Sequence, residues 1–464
     1  MLDQLQVRSP FDGEVLADLA YHTPEQVEDA IAMAFRLATQ RSQWLPKPDR
    51  LRILKTLQSL LHDQSESLAQ LIAQEGGKPI RDARVEAMRA ADTVGEAARY
   101  LASYDGQKIP MGLNAASAHR TSWTTPEPAG VVLGIGAFNH PLNLIAHLVA
   151  PAIAAGCPIL IKPALKTPLS CLKFVELAYQ AGLPPRWCQP LIVPDTITAE
   201  MAADNRLAVV GFIGSAEVGW KLRSRLAPGV RCLLEHGGAA PVIVCSDTDL
   251  DLAIPSLVKG GYYHAGQVCV SVQRVYVHDS ILDTFCNRFT AAVKALHVGD
   301  PMLETTDIGP IIRPQPLQRI TEWIAEAQKT GAKLLCGGHV TQQTCYEPTV
   351  LLNPSPQAKV STDEVFGPLV CVYGYSQLEQ AVARANSLPF VFQAAVFTQN
   401  LDTAVRVSHQ LNATAVMIND HTAFRVDWMP FGGAKQSGLG TGGVAYFAHE
   451  MSTEKLVVLH TPAN

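Results

Sequence analysis

Apolar residues recur every three or four positions through most of the first hundred residues, a period that predicts helices. The first runs through PEQVEDAIAMAFRLATQRS, where Thr23 suits the N-cap and Pro24 the first helical position. The period continues in DRLRILKTLQSLLHDQSESLAQLIAQEGG and DARVEAMRAADTVGEAARYLASY, with Gly76 and Gly77 where a helix would be capped. Near residue 109 the pattern breaks. IPMGLNAASAHRTSWTTPEPAG is rich in small, β-prone and turn residues and predicts a strand or two outside the helical layer.

An α/β alternation follows. GVVLGIG, ILIKP, LIVP, AVVGFIG and RCLLEHGG are short apolar runs of strand length, separated by helical stretches such as NLIAHLVAPAIAAG, PLSCLKFVELAYQAG and SAEVGWKLRSRLA. A second series starts at PVIVCS and passes through SLVKGGYYHAG, RVYVHD, ILDTFCNRFTAAVKAL, ITEWIAEAQKTG, AAVFT and TAVMIND. Such alternation predicts parallel sheets covered by helices on both faces. The glycine pair 237–238 marks a junction between the two series. The tail EKLVVLHTPAN is again an isolated β segment; with the segment after residue 109 it predicts a projecting arm whose edges pair with another subunit.

Composition narrows the function. With 47% hydrophobic residues, the chain can build large cores. Lys+Arg 37 against Asp+Glu 42 leaves a net charge of -5 without a basic stripe, which argues against nucleic-acid binding. No run of about 20 apolar residues predicts a membrane span, and the first residues lack the order of a signal peptide. Ten cysteines include no C-x-x-C pair, so no close-spaced thiolate metal site is expected and a reducing cytoplasm is the simplest location.

Chemistry-bearing residues stand where strands and helices end. Cys269 in HAGQVCVS is either a displayed nucleophile or a small buried side chain. His264 nearby raises the rival of a thiol–imidazole hydrolase. Glu235 closes a strand, Asn139 in GIGAFNHPLN follows one, and Lys162 leaves one. Each reads equally as a loop residue, a turn-former or a solvated charge. GIGAFN lacks the third glycine of a Rossmann fingerprint. Gly214 and Ser215 open a helix and would suit either a phosphate or a plain βα turn.

Taken in order, AFNHP, ILIKPA, GFIGSAEVG, LLEHGG, GQVC, EVFGP and PFGGAKQSG resemble the aldehyde dehydrogenase superfamily over nearly the whole chain. The resemblance implies two Rossmann-like parallel-sheet domains plus a small β oligomerisation arm. An NAD(P)-binding domain would comprise 1–110 and 129–237, a catalytic domain 238–440, and the bridging arm 111–128 and 441–464. It further implies Cys269 as the nucleophile that forms a thiohemiacetal and then a thioester. Asn139 and the Cys269 backbone N–H would form the oxyanion hole, and Glu235 would activate water. Lys162, Ala164, Leu165, Lys166, Gly214, Ser215, Val218, Glu364 and Phe366 would contact the cofactor. The implied partners are a small aldehyde and further copies of the chain, as a homodimer or homotetramer. A coenzyme-A-acylating enzyme and a non-catalytic member of the scaffold are the alternatives; an acid at position 235 favours hydrolysis.

Four positions depart from the family pattern. His236 replaces the usual Leu, GGAAP replaces GGKNP, and Leu165 stands where NAD-preferring members often carry Glu. A carboxylate there would repel a 2′-phosphate, so Leu165 beside Lys166 predicts acceptance of NADP as well as NAD. The expected substrate pocket comprises His140, Asn143, Leu144, His147, Tyr263, Val268, Val270, His421, Phe424, Arg425 and Trp428. Its histidines suggest a polar aldehyde. Arg425 and Asp427 read either as an internal pair propping their loop, the favoured reading, or as a reader of a substrate carboxylate or hydroxyl.

Overall fold

The computed structural model describes residues 4–461. It opens with an element the helical period did not predict, an antiparallel hairpin of Gln4–Arg8 and Val15–Ala20. Its alternation is short, and of Gln4–Arg8 only Val7 is buried, so the sequence signal is weak. Helix Pro24–Thr39 starts as expected: Thr23 accepts from the Gln26 N–H, and the Gln26 side chain accepts from the Thr23 N–H. The long second helical stretch divides at Gln64 into Lys47–Asp63 and Ser65–Gly76. Gly77 ends the latter in a left-handed conformation (φ 69°), and an added Cβ would lie 2.5 Å from Pro310.

The first sheet has six strands, in the order Gly438–Leu439, Arg231–Glu235, Leu207–Ile213, Val131–Ile135, Ile159–Lys162, Cys188–Pro190. All pairs are parallel except that of Gly438–Leu439. The strand expected at LIVP forms just earlier. Leu191 still donates to the Ile161 carbonyl, and Pro194 then caps the helix Asp195–Ala202. Helix Asn143–Ala155 is buried along its whole length, as an all-round apolar stretch must be. It packs against the long helix Ile80–Ser103 on one face of the sheet, while Pro24–Thr39 contributes to the core on the other.

The second sheet has seven strands, in the order Lys333–Cys336, Thr349–Leu352, Leu369–Tyr375, Val272–His278, Ala240–Val244, Gln393–Phe397, Ala415–Ile418. Apart from the Lys333–Cys336 edge, all its pairs are parallel. The doubly layered α/β architecture expected from the sequence is therefore present.

The two isolated β segments find each other. Ser452–His460 pairs antiparallel with Arg120–Pro128 along its whole length, and Lys108–Ile109 adds a third strand. The tail approaches through the helix Val444–Glu450, which packs against Asn143–Ala155. Residues 438–451 thus make their contacts with the first sheet and its helices. Among the described residues no helix is long and apolar enough to cross a membrane.

Candidate active site

In the first sheet the chain leaves Val131–Ile135 toward Ile159–Lys162 on one side, and later adds Leu207–Ile213 on the other. That reversal opens a crevice at the carboxyl ends of the strands. Asn139, Lys162, Gly214 and Glu235 all stand at those ends. Cys269 arrives from the other unit, on the turn between helix Leu250–Tyr262 and strand Val272–His278. Three successive left-handed residues, His264, Ala265 and Gly266, redirect the chain there. Gln267 then locks the turn: its amide donates to the His264 and Pro310 carbonyls and accepts from the Ile312 N–H. The Gln267 carbonyl in turn accepts from Asn139 Nδ2 at 2.9 Å, which fixes the Asn139 amide beside the Cys269 turn.

These groups share one cavity of ≈ 1130 Å³. Asn139, Glu235 and Cys269 line it, as do Lys162, Ala164, Leu165, Lys166, Gly214, Ser215, Val218, Glu364 and Phe366. Of the residues expected around a substrate, His140, Asn143, Leu144, Tyr263, Val268, Val270, His421, Phe424 and Arg425 line it too. His147 and Trp428 do not: His147 lies buried behind the wall and Trp428 is 62% exposed on the outer surface. His264 is also absent from the lining. It is buried with neither ring nitrogen hydrogen-bonded, so the structure does not show the thiol–imidazole pair of a hydrolase.

Burial and the neighbouring Glu235 charge push the Cys269 thiol up, opposed by Arg425. Burial raises Glu235 as well, against the pull of Arg425. The Arg425 guanidinium lies 3.7 Å from Glu235 Oε1 and 3.7 Å above the Phe431 ring centroid. The favoured Arg425–Asp427 pair is not formed. Asp427 accepts two hydrogen bonds from Arg89, at 2.8 and 3.0 Å, and is also bonded to Asn143 and His147. The loop is therefore propped by Arg89, from a different helix. Sequence reasoning missed Arg89, although Glu86, Arg89 and Thr93 repeat every three or four positions on the alanine-rich face of Ile80–Ser103.

A second buried network stands beside Asn139. Glu86 accepts from the Leu142 and Asn143 N–H groups and pairs with Lys78, while Lys78 Nζ lies 2.8 Å from His140. Burial and the Lys78 charge lower His140 to about 4; burial and Arg425 lower His147 to about 4. Both imidazoles are thus neutral near pH 7.

The residues present fit a dinucleotide. Glu364 is half-buried with its Oε1 enclosed and unpartnered among the described residues, and a Cβ on Gly237 would stand 1.7 Å from that atom, so glycine is needed for the carboxylate to lie there. Burial raises Glu364 to about 7. Lys162 Nζ approaches from the opposite unit, 2.9 Å from Asp195. The Gly214 peptide is held at both ends: its N–H donates to the Glu235 carbonyl, and its carbonyl lies 2.9 Å from His236 Nδ1. His236 therefore has a place, wedged edge-on between Phe212 and Trp220. Nothing in the structure explains the alanines of GGAAP. Among the described residues no cluster of His, Cys, Asp or Glu could hold a metal.

Comparison with known proteins gives the family and the fold. A model of the aldehyde dehydrogenase family matches residues 2–457. The chain is 35% identical over 460 residues to 3-sulfolactaldehyde dehydrogenase of Priestia aryabhattai, covering 99% of this chain and 95% of that one. Aldehyde dehydrogenase 21 of Physcomitrella patens, solved with its reaction product succinate, superposes with TM-score 0.95 at 35% identity, covering 98% and 95%. Glyceraldehyde-3-phosphate dehydrogenase of Methanocaldococcus jannaschii, complexed with NADP, gives TM-score 0.94 at 33% identity over 99% of both chains.

Proposed function

The chain belongs to the aldehyde dehydrogenase family of NAD(P)-dependent oxidoreductases, and on that premise we propose that Cys269 is the nucleophile, Asn139 an oxyanion donor and Glu235 the base that activates water. The observation that carries this reading is their convergence on one cavity from three separate elements. The Cys269 sulfur attacks the aldehyde carbon, and the oxygen that gains charge lies against the Asn139 amide and the Cys269 N–H. A nicotinamide cofactor held by Lys162, Glu364, Gly214 and Ser215 would supply the hydride acceptor that the adduct on Cys269 needs to become a thioester. Glu235 then takes a proton from water as that water attacks the acyl carbon, and the C–S bond breaks to release the acid. With its affinity for a proton pushed up, the half-buried Cys269 thiol needs a proton acceptor for the first step as well, and Glu235 faces the same cavity.

Lys162 and Glu364 would hold the cofactor's ribose hydroxyls, and Gly214 and Ser215 its pyrophosphate. Leu165 and the exposed Lys166 leave room and charge for a 2′-phosphate, so the enzyme accepts NADP as well as NAD. The substrate is a small polar aldehyde with an anionic end. Arg425 supports this: it is buried in the cavity wall and its Nε has no partner. The 3-sulfolactaldehyde relative and the succinate-bound neighbour fit that class. Segments 1–110 and 129–237 form the cofactor domain, 238–440 the catalytic domain, and 111–128 with 441–464 the arm. Within these bounds, Lys108–Ile109 joins the sheet of the arm, Gly438–Leu439 and the helix Val444–Glu450 serve the cofactor side, and the parts before residue 4 and beyond residue 461 lie outside the described residues. The exposed Trp123, Leu456, Val458 and Leu459 suit the arm to join copies into a dimer or tetramer. Ten free cysteines suit a reducing cytoplasm.

A panel of aldehydes followed by NADH or NADPH absorbance tests the whole reading. Cys269→Ala abolishes turnover, Glu235→Gln allows one burst of reduced cofactor, and the product is free acid. Wild-type rates in Cys269→Ala would refute the nucleophile. Acyl-CoA as the product would favour the acylating alternative.

A further inference from the structure

Arg425 is poorly satisfied for a buried guanidinium. At 3.7 Å its approach to Glu235 is too long for a hydrogen bond, and its Nε has no partner. Among the described residues its one polar contact within hydrogen-bonding distance is His147 Nε2, at 3.3 Å. Asp427, which would complete it, is committed to Arg89, His147 and Asn143. Glu235 is equally loose: among the described residues its carboxylate accepts no hydrogen bond, and a Cβ on Gly442 would come within 2.9 Å of its Oε2. Two opposite charges with few polar partners therefore face each other in the cavity wall, each 10% exposed or less.

We propose that Arg425 is a specificity-determining residue that changes partners, leaving Glu235 for the anionic end of the aldehyde, so that the correct substrate itself releases the water-activating carboxylate. This rests on the assignment of Glu235 and of an anionic substrate made above. The charged groups around the pair are few. Arg425 faces Glu235 and Cys269, with Arg89, His147 and Asp427 behind it; Glu235 faces Arg425 and Cys269. His147 is neutral, and Arg89 is matched by Asp427, so the electrostatic balance at Glu235 turns on Arg425. While the cation stands beside it, Glu235 is a weakened base. Once the cation turns to a substrate carboxylate or sulfonate, the same carboxylate binds a proton more readily, at the stage when water must give one up.

The test compares a four-carbon aldehyde ending in a carboxylate with the neutral aldehyde of equal length, as acyl-enzyme hydrolysis after the reduced-cofactor burst, from pH 5 to 9. In the wild type, the acid limb for the anionic aldehyde lies about one pH unit above that for the neutral one. In Arg425→Gln the neutral-aldehyde limb moves up toward that value, while KM for the anionic aldehyde rises about a hundredfold. Coincident wild-type limbs would overturn the change of partners even if KM rises. An unchanged KM in Arg425→Gln would overturn the anionic-substrate reading instead. Arg425→Lys keeps the charge and retains the lower neutral-aldehyde limb; if Arg425→Gln fails to fold, the wild-type pair of limbs and Arg425→Lys decide the question.

Discussion

Asn139→Ala separates catalysis from architecture. The amide has two N–H groups, and one is spent on the Gln267 carbonyl at 2.9 Å. Truncation therefore removes a structural bond and, with the second N–H, the oxyanion donor. Losing the first exposes a buried carbonyl that lacks its donor, at a cost of about 1–3 kcal/mol. The surrounding turn keeps its other ties, because the Gln267 side chain still bonds His264, Pro310 and Ile312. Losing the second weakens the transition state by about 3–4 kcal/mol, a fall of about 10²–10³ in kcat. Stopped-flow NADPH absorbance reads the catalytic loss, and urea unfolding reads the structural one. A fall of less than about tenfold in the burst rate, with the fold intact, would refute the assignment of the oxyanion site.

Gly237→Ala drives a Cβ into Glu364 Oε1 and raises the cofactor KM about ten- to hundredfold with little change in aldehyde KM; equal effects on both would count against a ribose role for Glu364. Leu165→Glu lowers kcat/KM for NADP relative to NAD, and an unchanged ratio would remove that residue from cofactor selection. Held near 4 in the folded chain, His140 and His147 each cost stability as pH falls from about 6.5 toward about 4, because there the unfolded chain binds their protons first, whereas Glu75, Asp82 and Glu364, raised by burial to about 7, 6 and 7, act in the opposite sense. His147→Gln therefore shifts the change in urea midpoint between pH 7 and pH 5 toward less loss than in the wild type, and an identical pH dependence would contradict this. Leu456→Glu with Val458→Glu yields monomers by light scattering, and an unchanged mass would move the interface elsewhere.

Helix periods, strand-end positions and the ordered motifs made the α/β plan and most of the cavity legible in the sequence. What escaped depends on long-range packing. The N-terminal hairpin hides because its alternation spans only five and six residues. Arg89 hides because its partner lies 338 positions away, and no local pattern links them. The Arg425–Asp427 pairing failed for the same reason: nearness in sequence suggested a bond that a distant helix pre-empts. His147 and Trp428 follow the motif spacing, but one turns behind the wall and the other outward. His236 had no sequence rationale, and the Gly214 carbonyl supplies one.

The short pairing of Gly438–Leu439 with Arg231–Glu235 sets an order on how the enzyme comes into being. Until Gly438–Leu439 has been made and has docked, the strand bearing Glu235 is an open edge, liable to pair with other chains. Its flank is closed by a segment made about two hundred positions later. A nascent chain thus carries its sulfur long before the flank beside the carboxylate is finished, and a premature stop near residue 430 would leave an aggregation-prone fragment rather than a slow enzyme.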